Sequence, residues 1–290
     1  GIVAGLGAIT FGVLGAVLLN SSSAIFEKRI DYVTGDTSAA FDIEEHVQGP
    51  LLLSYELPGM HLNGKRFVES KDDFLVGSFI SRQTCEGAKD LGDVRWRRSP
   101  NRPCSTDSVC SRVERAGAFR PCGLVALSMF TDQYELRNLD TGLNISLDQR
   151  DIALPRDAEI FKDKFVRVEN QTIDFTVEGE PSWLEEGAFF EHFKVWYRTP
   201  ASPHVRNLWA TIQGPLTKGR YEIRFVENSP VWTDEWIDMK EPKKTVLLSQ
   251  AHTLGSRGAC KFLGVICTVF CCAQVAMTFF FCFALPLLKD

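Results

Sequence analysis

Cys85, Cys104, Cys110 and Cys122 crowd into one stretch of the chain, and thiols at that density either close disulfides or hold zinc. Their internal spacings are 19, 6 and 12 residues, and no histidine lies among them. Zinc sites use tighter pairs, usually with histidine help, so the cluster reads as two disulfides. Three pairings are open at this point. Disulfides of this kind place the segment in an oxidising compartment.

Other reactive types do not assemble. His46, His61, His192, His204 and His252 are scattered, with no HExxH pattern, no GxSxG elbow and no phosphate-cradling glycine loop. Glu44-Glu45-His46 and Glu185-Glu186 bring carboxylates together in sequence. Adjacent residues of a strand point to opposite faces, so neither pair forms a dyad. No catalytic, metal or cofactor site is expected, and the chain reads as a non-enzyme.

Two acceptor sequons, Asn144-Ile-Ser and Asn170-Gln-Thr, support N-glycosylation at Asn144 and Asn170. Asn20-Ser-Ser matches the pattern but abuts an apolar stretch where the transferase has poor access; Asn228-Ser-Pro fails it. Sequons beside paired cysteines indicate a lumenal or extracellular domain.

The elements that must carry these groups follow from the apolar pattern. Residues 1–19 and 259–288 each contain a long uncharged run, of which Phe262–Leu288 is 27 residues. A bilayer core needs about 20 helical residues. A signal peptide is the rival reading of the first run, but no basic residue precedes Lys28. We therefore expect two transmembrane helices flanking an ectodomain of residues 20–258, both termini cytoplasmic. Small residues recur every four positions in each span: Ala4, Ala8, Gly12 and Ala16, then Gly264, Thr268, Cys272 and Ala276. Such rows let helices approach closely in lipid, either each other or a multi-span partner. The runs Gly1–Leu19 and Phe262–Leu288 contain no charged residue, so the chain is not expected to form an ion or substrate pathway alone. Cys260, Cys267, Cys271, Cys272 and Cys282 read as small packing residues.

Between the spans, 30 basic residues face 36 acidic ones with no basic stripe, which excludes nucleic-acid binding. Alternation marks strands at Arg220–Val226, Ile173–Val177 and Phe193–Arg198, with shorter candidates at Leu51–Tyr55 and Val246–Leu248. Pro121–Phe130 reads as a short helix, and Gly87–Arg120 as a surface insertion pinned by disulfides. The expected fold is a membrane-anchored α+β protein: two transmembrane helices around a β-rich, antiparallel, sandwich-like domain.

Several stretches carry a family resemblance. Pro121-Cys122-Gly123-Leu124-Val125-Ala126-Leu127-Ser128-Met129-Phe130-Thr131-Asp132 closely resembles the PCGLIANSMFND signature of the ligand-effect-modulator, or cell-division-control protein 50, family. Val195–Pro203 with Arg206 and Leu208 resembles its WMRTAALPTFRKL segment, through Trp196, Arg198, Thr199 and Pro203. Gly219-Arg-Tyr221, Asn228-Ser-Pro-Val231, Ile30-Asp-Tyr32, Lys65–Asp73, Leu254–Arg257 and Phe262-Leu-Gly264 match further family positions in order. Residues 33–50 lack the cysteines that many members carry there, and Leu127 replaces a signature asparagine. The tract Pro58–Asn63 matches the family's NFYQNH stretch poorly, and the insertion is not part of the common pattern.

The resemblance implies a noncatalytic β subunit of a type IV P-type ATPase, the α subunit of which moves phospholipid between leaflets of the membrane. It also implies the pairing Cys85–Cys122, with Cys104–Cys110 nested inside. The family partner is that ATPase, or an ATPase-like domain of a fusion protein, in the endoplasmic reticulum, Golgi/endosome or plasma membrane. A two-pass receptor or adhesion module is the alternative that the glycans and disulfides alone would permit.

Overall fold

The structure is a computed structural model that describes residues 2–60, 62–69, 124–162, 166–167, 173–174, 187–201, 204–228, 244–251 and 256–281. Two compact units emerge: residues 1–28 with 249–290, and residues 29–248.

The first unit is a helix pair, α1 (Ile2–Ala24) and α6 (Arg257–Phe279). Both are long and apolar enough to cross a membrane. Helix α1 runs past the expected boundary at residue 19, because the polar Asn20–Ser23 stretch keeps its hydroxyls bonded to carbonyls within the helix. Ser256 caps α6, its hydroxyl accepting from the Ala259 amide.

The second unit is built on two four-stranded sheets. One has the order β1 (Glu27–Tyr32), β10 (Lys244–Gln250), β3 (Leu51–Leu57), β8 (Val205–Ile212). The other has the order β2 (Ser38–Ile43), β9 (Gly219–Glu227), β4 (Gln133–Asn138), β5 (Asn144–Ile145). A small antiparallel pair, β6 (Val166–Arg167) and β7 (Ile173–Asp174), stands apart. Short helices α2 (Lys65–Glu69), α3 (Leu124–Leu127), α4 (Pro155–Lys162) and α5 (Ala188–Tyr197) complete the described elements.

Strand β9 follows its alternation. Tyr221, Ile223 and Phe225 are buried, while Arg220 and Arg224 are exposed. Its antiparallel neighbours supply opposite charges: Asp42 faces Arg220, Arg137 faces Glu222, and Glu135 faces Arg224. This sheet is thus apolar inward and charge-paired outward, the usual solution for an antiparallel sheet with one wet face. The inner faces of the two sheets meet: Tyr32 of β1 stacks on Phe225 of β9 at 4.2 Å, and Tyr134 of β4 meets Trp209 of β8 edge-on at 4.9 Å.

One strand expectation is corrected. Phe193, Val195 and Tyr197 belong to helix α5, not to a strand. The alternation is accidental, because Phe189, Phe190, Phe193, Trp196 and Tyr197 also recur at helical spacing and all five are buried. A stripe repeating at three to four residues buries one helix side; a strand would have split Trp196 from its neighbours. Of Ile173–Val177, only Ile173–Asp174 falls among the described residues, as β7. Of the helix expected over Pro121–Phe130, Leu124–Leu127 is helical as α3, and Pro121–Gly123 lie outside the described residues. Cys85, Cys104, Cys110, Cys122 and the 87–120 insertion lie outside the described residues.

Candidate functional site: a buried polar hub and a paired span

From α3 to β4 the chain runs through the core, regular only in the single turn of α3 and irregular from Ser128 to Asp132. Val125, Ala126, Ser128, Met129, Phe130, Thr131 and Asp132 are all buried. Irregular backbone cannot satisfy its own polar groups, so burial demands partners from elsewhere. Two indoles supply them. Trp196 of α5 donates its ring N–H to the Val125 carbonyl at 2.7 Å, and Trp209 of β8 donates to the Asp132 carbonyl at 3.0 Å. Trp209 shares strand parity with the buried Val205 and Asn207, and a one-residue slip of the β3–β8 ladder leaves it as the extra residue of a bulge, beyond which Ala210 and Ile212 are buried as well.

The Asp132 carboxylate is the hub. It is 1% exposed and lies 2.5 Å from the ammonium of Lys244, itself 1% exposed. The Tyr32 hydroxyl donates to Asp132 at 2.8 Å and lies 2.6 Å from the Tyr134 hydroxyl. Lys244 also donates to Asn228 Oδ1 at 2.5 Å, and Asn228 Nδ2 donates to the carbonyls of Val33 and Asp36. Five chain segments therefore converge: β1, the start of β4, the end of β9, the start of β10 and the β1–β2 turn.

Burial dominates the electrostatics. It holds the Tyr32 hydroxyl well above its usual range, with Tyr134 and Asp132 adding to the shift, and burial followed by Asp132 does the same for Tyr134. Burial pulls the Lys244 ammonium below its usual range, against the opposing pull of Asp132. A buried pair of this kind holds position: losing one partner strands the other charge in an apolar core, at about 3–5 kcal/mol.

The remaining site residues sort by burial. Trp196 is core, whereas Arg198 and Thr199 are exposed at the end of α5, and Arg198 reaches Asp157 of α4 at 3.7 Å. Arg206, also exposed, lies 3.7 Å from Glu56, which Arg29 engages too. A Cβ on Gly219 would fall 2.6 Å from the Asp140 carboxylate that accepts from the Arg220 amide, so a side chain there would have to displace that carboxylate. Glu44, Glu45 and His46 stand exposed on the surface. His192 is buried over Trp209, 2.8 Å from Gln149 Oε1, and burial lowers its pKa to about 3. Pro121, Cys122, Gly123, Pro203 and Asn170 lie outside the described residues, as does the side chain of Ala4. Among the described residues no three His, Cys, Asp or Glu side chains gather into a metal site.

In the helix pair, Ala8, Gly12, Gly15, Leu19 and Ser22 of α1 follow a 4-3-4-3 spacing on the side turned to α6. Cys260, Gly264, Cys267, Cys271, Gln274 and Thr278 answer on α6 with the same rhythm. Approach is close. A Cβ on Gly15 would sit 3.2 Å from the Gly264 carbonyl oxygen, and one on Gly12 3.2 Å from Cys271 Sγ. Of the expected four-residue rows, Ala8, Gly12 and Gly264 lie on this side and Thr268 Oγ1 would meet a Cβ on Gly15 at 3.0 Å, whereas Ala16, Cys272 and Ala276 are exposed. Each four-residue step overshoots a full turn by about 40°, so a strict row drifts off the contact within two steps. Alternating steps of four and three keep to it.

Sequence reasoning quoted Asp132, Tyr32 and Asn228 without seeing that they meet, and it missed Lys244. A signal existed. Lys244 shares strand parity with Val246 and Leu248, both buried, which marks it as an inward lysine needing an acid.

The model of the LEM3 (ligand-effect modulator 3) family / CDC50 family matches residues 20–289. Human cell cycle control protein 50B is 26% identical over 271 residues, covering 77% of this chain and 71% of its own length. The bovine cell cycle control protein 50A is 24% identical, with coverage of 88% and 76%. ALA-interacting subunit 3 of Arabidopsis thaliana is 23% identical, with coverage of 82% and 61%.

Proposed function

This chain belongs to the LEM3/CDC50 family, and from that premise we infer that it serves as the accessory subunit of a type IV P-type ATPase flippase. The observation that carries this reading is the family match across residues 20–289, which takes in the ectodomain and the second span alike. Family relatives named as interacting subunits support a partner-bound role, and a free receptor is not favoured.

On this reading the chain itself is noncatalytic. The α subunit moves phospholipid, and this subunit supports its folding, its exit from the endoplasmic reticulum and its transport cycle. The ectodomain is lumenal or extracellular, with Cys85–Cys122 and Cys104–Cys110 closed and both termini in the cytoplasm. To influence the cycle, the subunit must bind some states of its partner better than others; equal affinity for all states would shift nothing. The hub suits that task, because a rigid domain holds a contact surface in one shape. Residues buried at the hub act by holding that shape. Arg198, Thr199 and Arg206 are exposed and therefore able to touch a partner.

Purification of the full-length protein from native membranes in mild detergent, with co-purifying chains identified by mass spectrometry, tests the reading. A stoichiometric P-type ATPase is the expected companion. Recovery of the folded protein without any such chain overturns it.

A further inference from the structure

We propose that the side chains of Lys244 and Asn228 join in an amide bond, formed within the chain itself with Asp132 carrying the protons, and that this bond staples the two sheets at the hub.

The geometry is that of reactants held in place. Lys244 Nζ lies 2.5 Å from Asn228 Oδ1 and 2.5 Å from Asp132 Oδ2. A carbonyl bond is about 1.2 Å long, so Nζ lies within about 3.7 Å of Asn228 Cγ. Reacting atoms poised for attack stand about 3–3.5 Å apart. The carboxamide is pinned, because Asn228 Nδ2 donates to the Val33 and Asp36 carbonyls at 2.9 and 3.0 Å. Tyr32 pins the acid in turn, its hydroxyl donating to the same Asp132 oxygen at 2.8 Å. No glycan competes for Asn228, since Pro230 breaks its sequon.

The surroundings favour the reaction. A lysine attacks a carbonyl only as the neutral amine, and an apolar environment favours that form. Lys244 is 1% exposed, and its Nζ stands 5.0 Å from the Tyr32 ring centroid and 6.0 Å from that of Phe130. Passing one proton from the ammonium to Asp132 removes two opposite charges from a core that solvates neither.

The step balances without water or an oxidant. Asp132 takes a proton from Lys244, and the neutral amine attacks Asn228 Cγ. The Nζ–Cγ bond forms as the carbonyl pair moves onto Oδ1. Asp132 hands its proton to Nδ2 and takes another from Nζ. The Cγ–Nδ2 bond then breaks, ammonia leaves with the bonding pair, and the carbonyl reforms. Asp132 finishes protonated, so no charge remains on the three groups.

Asn228 directly follows β9 and Lys244 opens β10, strands of different sheets. The amide closes the chain between residues 16 positions apart, and unlike a disulfide it survives reduction.

Trypsin digestion of the full chain, purified in detergent from eukaryotic cells and then denatured and reduced, tests the proposal by tandem mass spectrometry. The expected product is a branched peptide joining 225–240 to 244–257, uncut after Lys244 and one ammonia lighter than its two parts together. Fragmentation should place the link on Asn228 and Lys244. Lys244→Arg keeps a cation but no acylable amine and should restore linear peptides. Asp132→Asn should do the same although Lys244 and Asn228 both remain. Linear 225–240 and a cut after Lys244 in the folded parent protein overturn the proposal, whatever the variants do. A branch one water lighter, linked through a carboxylate, overturns the assignment of Asn228. A branch at Asn228 that persists in Asp132→Asn overturns the role of Asp132.

Discussion

The ectodomain core and the paired spans are both close-packed, yet they are specified in opposite ways. At the hub, identity is decisive: an acid, a lysine, two tyrosines, an asparagine and two indoles each satisfy a particular buried partner. In the helix pair identity hardly matters, and glycine, alanine, cysteine and serine share the contact. The difference lies in the solvent. Water drives the sheets together through their apolar faces, and any polar group taken inside must then be matched. Lipid offers helices no such drive, so close approach through small residues at the right spacing is what remains. Residue type is therefore what specifies the first region, and spacing is what specifies the second.

The sharpest way to break this contrast is Lys244→Met. It should cost about 3–5 kcal/mol, because it leaves Asp132 charged and buried without its cation. The readout is the thermal midpoint of the detergent-solubilised full chain. Adding Asp132→Asn should recover part of the loss, and a silent Lys244→Met would show that the hub does not organise the core.

In the spans, Gly15→Leu should oppose Ala16→Leu although the two positions are neighbours. The first pushes a side chain into the Gly264 carbonyl and Thr268, with an overpacking cost of about 1–3 kcal/mol; the second points outward and should be neutral. Oxidative cross-linking of Gly12→Cys to Cys271, read after cleavage of the loop, reports the pairing. Equal effects at both positions would restore the simple four-residue row.

Trp196→Phe keeps an aromatic ring but removes the pyrrole part of the indole with its N–H, so the Val125 carbonyl loses the indole donor and a small void is left. A loss of about 1–3 kcal/mol is expected, by thermal denaturation. The same exchange at an exposed site should do nothing, which separates identity from bulk.

His192 gives the smallest effect near neutrality. Unfolded, its imidazole takes up a proton near pH 6.5; folded, it does so only near pH 3. Unfolding therefore binds a proton throughout that window, and stability falls as the pH drops through it. The slope approaches about 1.4 kcal/mol per pH unit. His192→Gln should flatten the profile between pH 7 and pH 4.5; an unchanged profile would assign the acid sensitivity to other groups.

Much of this protein was legible in order along the chain. The spans, the strands β3, β9 and β10, the short helix after Pro121 and the motif positions all rest on local patterns. Strand β9 is the clearest case, because six consecutive residues alternate polar and apolar from Arg220 to Phe225. Helix α5 was misread because Phe193, Val195 and Tyr197 fit both periods, and only burial of Phe189, Phe190 and Trp196 on one side decides between them. The inward span face was half-read because composition shows which residues are small but not which way they point.

What the sequence by itself determined was type: two apolar helices, an alternating β domain and a family signature. What only the tertiary structure decided was meeting. Asp132 and Lys244 are 112 positions apart, and Trp196 and Val125 are 71 apart. No local period relates such residues. Their contact exists because two sheets closing on an apolar core bring an irregular buried strand of backbone to the one place where its polar groups can be matched.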